Sequence, residues 1–199
     1  MIKEIMFDYG GVIGTLPRKN LVESIAENFG LEKERCQQVI GLHARGAQTR
    51  QFPDRFWEDV SSALGITRHN VLKDLWINHI EKDSEINEDV VSLIESLRQR
   101  SYSLCLLSNT TGLYQYSPHE KRIGLLFHHK VRSCDVGLRK PEKEIYLLAL
   151  HTACVDPESC VLIDDKTRNL HYPRRIGMNT ILFESSKQLI NVLEELLNR

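Results

Sequence analysis

The sequence predicts an α/β fold, a parallel sheet covered by helices on both faces with an all-helical insertion after the first strand. Two observations carry this. From residue 88 onward short buried-type apolar runs alternate with amphipathic stretches of helix length, and the preceding stretch, residues 15–87, has an all-helical rhythm. Parallel strands need crossover connections, so alternating elements of this length imply a sheet flanked by helices.

The elements follow in order. Ile2 to Tyr9 is a β-leaning run that ends on an acidic residue and meets Gly10 and Gly11, a strand stopping at a turn. Apolar residues at Leu21, Ile25 and Phe29, then Phe56, Val60 and Leu64, then Val71, Leu72 and Leu75 keep helical spacing, with Gly30, Gly41, Pro53 and Gly65 dividing them into about four short helices. Asn87 is an N-cap for a helix with Val90, Leu93, Ile94 and Leu97 on one face. Strands are expected at Tyr102 to Leu107, near Lys130 to Cys134, at Cys160 to Ile163 and at Asn179 to Phe183. Pro141 starts a helix with Ile145, Leu148 and Ala149 inward, and Gln188 to Leu197 closes the chain as an amphipathic helix. The expected division is a core of residues 1–14 and 88–199 and a helical cap of residues 15–87.

Composition narrows the classes. With 199 residues, 41% hydrophobic and 27% charged, the chain can bury a core of its own. A net charge of -1 gives no electrostatic reason to expect nucleic acid or an anionic membrane. No apolar run reaches the ~20 residues that span a bilayer, and Met1 to Asp8 lacks a secretory apolar stretch, so a cytoplasmic location is expected. The five cysteines (Cys36, Cys105, Cys134, Cys154, Cys160) form no C-x-x-C pair and read as reduced, mostly buried thiols. The eight histidines show no metal-ligand spacing.

In open parallel sheets ligands bind beyond the carboxyl ends of the strands. Those ends carry Asp8, then Ser108 with Asn109 and Thr110, then Lys140, then Asp164 and Asp165. Each has a bland reading: a turn for Ser108 and Asn109, a solvated charge for Lys140, a helix cap for the aspartates. Together they amount to three carboxylates, a hydroxyl and a lysine on one rim, the parts of a phosphate site.

The motifs FDYGGVIG at Phe7 to Gly14, LLSNT at Leu106 to Thr110, GLRKP at Gly137 to Pro141 and LIDDKTRN at Leu162 to Asn169 stand in order along the core. The chain thereby resembles the haloacid dehalogenase superfamily, within it the sugar-1-phosphate phosphatases and the phosphatase-like domain of some epoxide hydrolases. The resemblance implies a Rossmann-like core, a small helical cap and Mg2+ as cofactor. It implies Asp8 as the nucleophile that forms an aspartyl-phosphate, and metal ligation by Asp8, Asp165 and the Gly10 carbonyl with Asp164 behind them. Lys140 would hold the crowded negative charge together, and Ser108 with the backbone N–H groups of Asn109 and Gly11 would bond the phosphoryl oxygens.

The chain departs from the family's phosphatase pattern at Gly10, where the usual D-x-D places an acid/base aspartate. Such a group contributes roughly 10²–10⁴-fold, so slow hydrolysis is expected, least so for sugar 1-phosphates with their better leaving group. Pro173 lies in an expected helix and fits only in its first turn. Arg168, Arg174 and Arg175 read as a solvated basic face, with a second anion site as the alternative. Substrate choice would fall to the cap, through His43, Arg45, Gln48 and Arg18; Tyr114 and Tyr116 either line the pocket mouth or pack elsewhere. The expected partner is a small phosphorylated metabolite, with the chain a monomer or homodimer. The expected function is a phosphatase, set against a 2-haloacid dehalogenase, which needs no metal, and against a weakened protein that binds without turnover.

Overall fold

The computed structural model describes residues 1–15, 18–49 and 55–198, with the backbone alone for Arg18, Lys19 and Tyr114. Pro53 and the side chains of Arg18 and Tyr114, singled out above, lie outside that description.

The chain opens with β1 (Glu4–Phe7) and the two-residue β2 (Gly14–Thr15). Four helices follow, α1 (Arg18–Phe29), α2 (Lys33–Gly46), α3 (Phe56–Leu64) and α4 (His69–Asp83), then β3 (Glu85–Ile86). Gly41 falls inside α2 instead of ending a helix. Beyond it run α5 (Glu88–Gln99), β4 (Ser103–Ser108), α6 (Glu120–Gly124), β5 (His129–Arg132), α7 (Ser133–Val136) and α8 (Lys143–Ala153). The chain finishes with β6 (Cys160–Asp164), α9 (Thr167–Arg175), β7 (Asn179–Leu182) and α10 (Ser186–Leu197). Pro141 stands before α8, which begins at Lys143.

The five long strands form one sheet in the order β5-β4-β1-β6-β7, every pair parallel. The central strand β1 is buried at every residue, as a strand covered on both faces must be. Ile5 and Phe7 meet the α5 and α10 side, with Ile94, Leu97, Leu189 and Leu193, while Met6 meets the α8 side, with Ile145, Tyr146 and Ala149. Asn87 caps α5 as expected, its Oδ1 accepting the Val90 N–H at 3.3 Å.

Helices α1 to α4 bury a separate apolar cluster in which Phe56, Trp57 and Trp76 meet edge to face at 5.2–5.5 Å between ring centroids. Two crossings join these helices to the sheet, and they pair antiparallel as β2 and β3. Leu113 and Tyr116, from the segment after β4, pack into the same cluster, so Tyr116 is a packing residue and not part of a pocket mouth. No helix among the described residues is long and apolar enough to cross a membrane. Four of the cysteines are buried and Cys154 is exposed.

One buried charge lies far from the strand ends that carry the motifs. Glu4 starts β1, is fully buried, and neither carboxyl oxygen has a hydrogen-bond partner among the described residues. Burial raises its pKa from 4.5 to about 7, offset in part by the Ser103 hydroxyl from outside hydrogen-bonding geometry. Below pH 4.5 folded and unfolded chains both hold this proton. As pH rises from 4.5 to about 7 the unfolded chain releases it first, so stability falls across that window. Glu4→Gln removes the loss: its urea midpoint should match the parent's near pH 4 and exceed it at pH 8 by the equivalent of about 1–3 kcal/mol. A parallel shift of both proteins with pH would refute this.

Candidate functional site

The strand-end residues meet at the carboxyl edge of the sheet. Asp8 follows β1 directly, Ser108 is the last residue of β4, Asp164 ends β6 and Asp165 comes next. Acidic oxygens of Asp8, Asp164 and Asp165 lie within 4.8 Å of one another. Between the first two sits the buried Lys140 ammonium, 2.9 Å from Asp8 Oδ1 and 2.7 Å from Asp164 Oδ2. It donates also to the Leu107 carbonyl at 2.7 Å, so all three of its hydrogens have acceptors.

Burial pushes the Asp8 carboxyl above the usual range, Lys140 pulling it back and Asp164 adding to the rise. Burial alone would discharge Lys140, but Asp8 and Asp164 together hold its pKa above the ordinary lysine value. The cluster is therefore balanced by pairing and not by solvent. Asp164, fully buried, accepts further bonds from the Lys166 N–H at 2.9 Å and from Asn169 Nδ2 at 2.9 and 3.0 Å.

One expected role changes. Gly11 N–H donates to the Gly14 carbonyl at 3.0 Å, inside the turn that follows β1, so it is already engaged and not held ready for a phosphoryl oxygen. What Gly11 contributes is the lack of a side chain: its φ is +88°, and a Cβ there would stand 2.5 Å from Asp165 Oδ2. The Asn109 side chain, as distinct from its backbone N–H, donates to the Lys140 carbonyl and accepts the Lys140 N–H, both at 2.8 Å. Asn109 thus fixes the backbone that carries the ammonium. The Ser133 hydroxyl ties down the neighbouring Thr110 by accepting its N–H at 3.0 Å and donating to its carbonyl at 3.1 Å.

Pro173 also departs from expectation. It is the seventh residue of α9, outside the first turn, and its missing N–H leaves the Asn169 carbonyl without its helical donor. The buried Tyr146 hydroxyl of α8 donates to that carbonyl at 2.7 Å. Tyr146 thus supports the backbone of the residue whose side chain grips Asp164. Tyr146→Phe should cost about 1–3 kcal/mol in urea denaturation, the penalty of an orphaned buried carbonyl. Adding Pro173→Ala restores an N–H at the right position, and the Tyr146→Phe cost should shrink to about half or less in that background. Strictly additive costs would show that the proline and the tyrosine are unconnected.

A cavity of about 620 Å³ opens over these groups, with Asp8, Gly10, Ser108, Lys140 and Asp165 on its floor side. Arg45 and Gln48, from α2 and the turn after it, line it from the helical insertion, whereas His43 is not among its lining residues. Thr15, Arg139, Lys166 and Arg168 also line it. Arg168, Arg174 and Arg175 are all exposed, as a solvated basic face requires, and Arg168 also borders the cavity, while Arg174 Nε donates to Thr180 Oγ1 at 2.6 Å. A Cβ on Gly10 would meet nothing within 4 Å.

A family model described as haloacid dehalogenase-like hydrolase matches residues 3–171. Among curated proteins, D-ribitol-5-phosphate phosphatase of Bacteroides thetaiotaomicron is 25% identical over 211 aligned residues, covering both chains in full. Bifunctional epoxide hydrolase 2 of Sus scrofa is 29% identical over 119 residues, 57% of this chain but only 21% of that protein's length. Among solved structures, a HAD family enzyme of Bacteroides thetaiotaomicron in complex with magnesium and inorganic phosphate superposes with a TM-score of 0.73 at 21% identity, covering 92% of this chain and 95% of the other.

Proposed function

The chain belongs to the haloacid dehalogenase-like hydrolase family, and from that premise we propose that it is a magnesium-dependent phosphomonoesterase acting on a small metabolite such as a sugar phosphate. The observation that carries the proposal is the convergence of three acidic side chains within 4.8 Å around a buried ammonium. The phosphatase and the magnesium and phosphate complex among the similar proteins support the same reading.

The donor set suits a hard dication, which prefers carboxylate and carbonyl oxygens. Asp8, Asp165 and the Gly10 carbonyl would hold magnesium, with Asp164 behind them, and Gly11 lets Asp165 approach. The bound ion supplies charge neutralisation at the phosphoryl oxygens. Asp8 attacks phosphorus and the ester P–O bond breaks, the departing oxygen taking its proton from solvent water because Gly10 offers none; water then displaces phosphate from Asp8, gives a proton back to solvent and regenerates the carboxylate. Lys140 holds Asp8 and Asp164 in place and offsets their charge, while the Ser108 hydroxyl donates to the transferred group. Residues 15–87 act as a cap over residues 1–14 and 88–199, presenting Arg45 and Gln48 to the leaving group.

The open space at Gly10 favours a second reading, a protein that binds the metabolite and turns it over poorly or not at all. Phosphate release from a panel of sugar phosphates decides between them. The phosphatase reading expects release with magnesium that a chelator abolishes. Metal binding with no release from any member would reject it, and halide release from 2-haloacids without magnesium would point to attack on carbon.

A further inference from the structure

The cavity carries more positive charge than one phosphoryl group and its cation consume. Five cations line it, Arg45, Arg139, Lys140, Lys166 and Arg168, against two lining carboxylates, Asp8 and Asp165. The chain as a whole is balanced, with 26 basic and 27 acidic residues. Lys140 is taken up by Asp8 and Asp164, and Lys166 Nζ lies 3.0 Å from Asp165 Oδ1. Among the described residues Arg139 pairs with the half-exposed Glu142, through Nε at 3.2 Å. Arg45 and Arg168 make no ion pair with any described residue.

A charge count shows what remains. The three aspartates, the two lysines, a dication and a dianionic phosphoryl group leave about one net negative charge. With Arg139 set against Glu142, one further guanidinium cancels that, and one is left over. The three arginines come from separate places, α2, the loop before Lys140, and α9, yet all border one cavity. Arg45 does not reach straight out to solvent: its Nη1 lies 3.6 Å from where a Cβ on Gly41 would stand, and Gly41 is itself a lining residue. Guanidinium groups present paired N–H donors that match carboxylate and phosphate oxygens.

We propose that the substrate is a phosphomonoester whose alcohol part bears a second anionic group, a carboxylate or another phosphate, received by Arg45, Arg139 and Arg168. This deepens the phosphatase reading and rests on it for the position of the first phosphate. The second anion binds toward the helical insertion, so the helices that carry Arg45 select for charge.

The test compares matched pairs with magnesium present: glycerol phosphate against phosphoglycerate, and a hexose monophosphate against its bisphosphate. The doubly anionic member of at least one pair should show kcat/KM higher by about tenfold or more, the scale of one or two charge-assisted hydrogen bonds, and added salt should shrink the ratio. Preference in the first pair identifies a carboxylate, in the second a phosphate. Arg45→Gln and Arg168→Gln should each move the ratio toward one. Calorimetric binding of the same compounds to magnesium-loaded Asp8→Asn protein reads the preference without turnover. If none of these esters, nor p-nitrophenyl phosphate, is hydrolysed by the parent, the phosphatase reading fails while the binding preference still reports on the second anion. Ratios within about twofold of one in both pairs, by rate and by binding, overturn the proposal, as does a preference that survives both arginine substitutions.

Discussion

Asp8→Asn and Lys140→Met are both expected to bring phosphate release to background, a fall of at least about a thousandfold, and to differ in stability. Asparagine keeps an oxygen where Asp8 Oδ1 accepts the Tyr9 N–H at 2.8 Å and faces the Lys140 ammonium. It removes the nucleophilic carboxylate together with a charge that burial disfavours. Lys140 retains Asp164 and the Leu107 carbonyl, so nothing is orphaned and the urea midpoint should stay within about 1 kcal/mol of the parent. Methionine at 140 fills the channel but leaves Asp8 and Asp164 as neighbouring buried carboxylates with no counter-ion and the Leu107 carbonyl unbonded. Breaking a buried pair in this way costs about 3–5 kcal/mol. Equal stabilities for the two variants would show that the ammonium is not what holds the carboxylates together.

The parts of this site legible in the sequence are those that depend on strand register. β1, β4 and β6 are short runs that must be buried on both faces, and such runs announce their ends. The expected strands end within one or two residues of the observed ends, close enough to bring Asp8, Ser108 and the Asp164–Asp165 pair to one edge of the sheet. The expected strand from Ile2 to Tyr9 shortens to Glu4–Phe7, and at its far end the Tyr9 carbonyl accepts the N–H groups of Val12, Ile13 and Gly14 in the turn that follows. What stayed hidden depends on side chains reaching across the fold. Nothing local in Asn109 says that its amide grips Lys140, 31 residues away, or in Tyr146 that its hydroxyl serves Asn169, 23 residues away. Pro173 did leave a local signal, since a proline past the first helical turn demands an outside donor for the carbonyl four residues earlier. Tyr146 is that donor. The β2 and β3 pair was invisible because two residues carry no periodicity.

Gly10→Asp is expected to raise kcat for esters of poor leaving groups by about 10²–10⁴-fold, while changing turnover of p-nitrophenyl phosphate little. The difference arises because a simple alkoxide must be protonated as it departs, whereas p-nitrophenolate leaves without a proton. Position 10 has the room: a Cβ would meet nothing within 4 Å, and the residue borders the cavity. No positive φ is recorded there, so an L side chain enters without backbone strain. The adjacent glycine gives the contrasting result, since any Cβ on Gly11 runs into Asp165 at a φ of +88°. Two neighbouring glycines thus have different causes, one required by a carboxylate pressed against it and one facing empty space. Steady-state rates across alcohols of graded acidity measure this directly. A parent whose rate falls steeply with leaving-group basicity, and a Gly10→Asp variant whose rate does not, would identify proton donation as the chemistry this site lacks. The same steep slope in both would place the limiting step elsewhere.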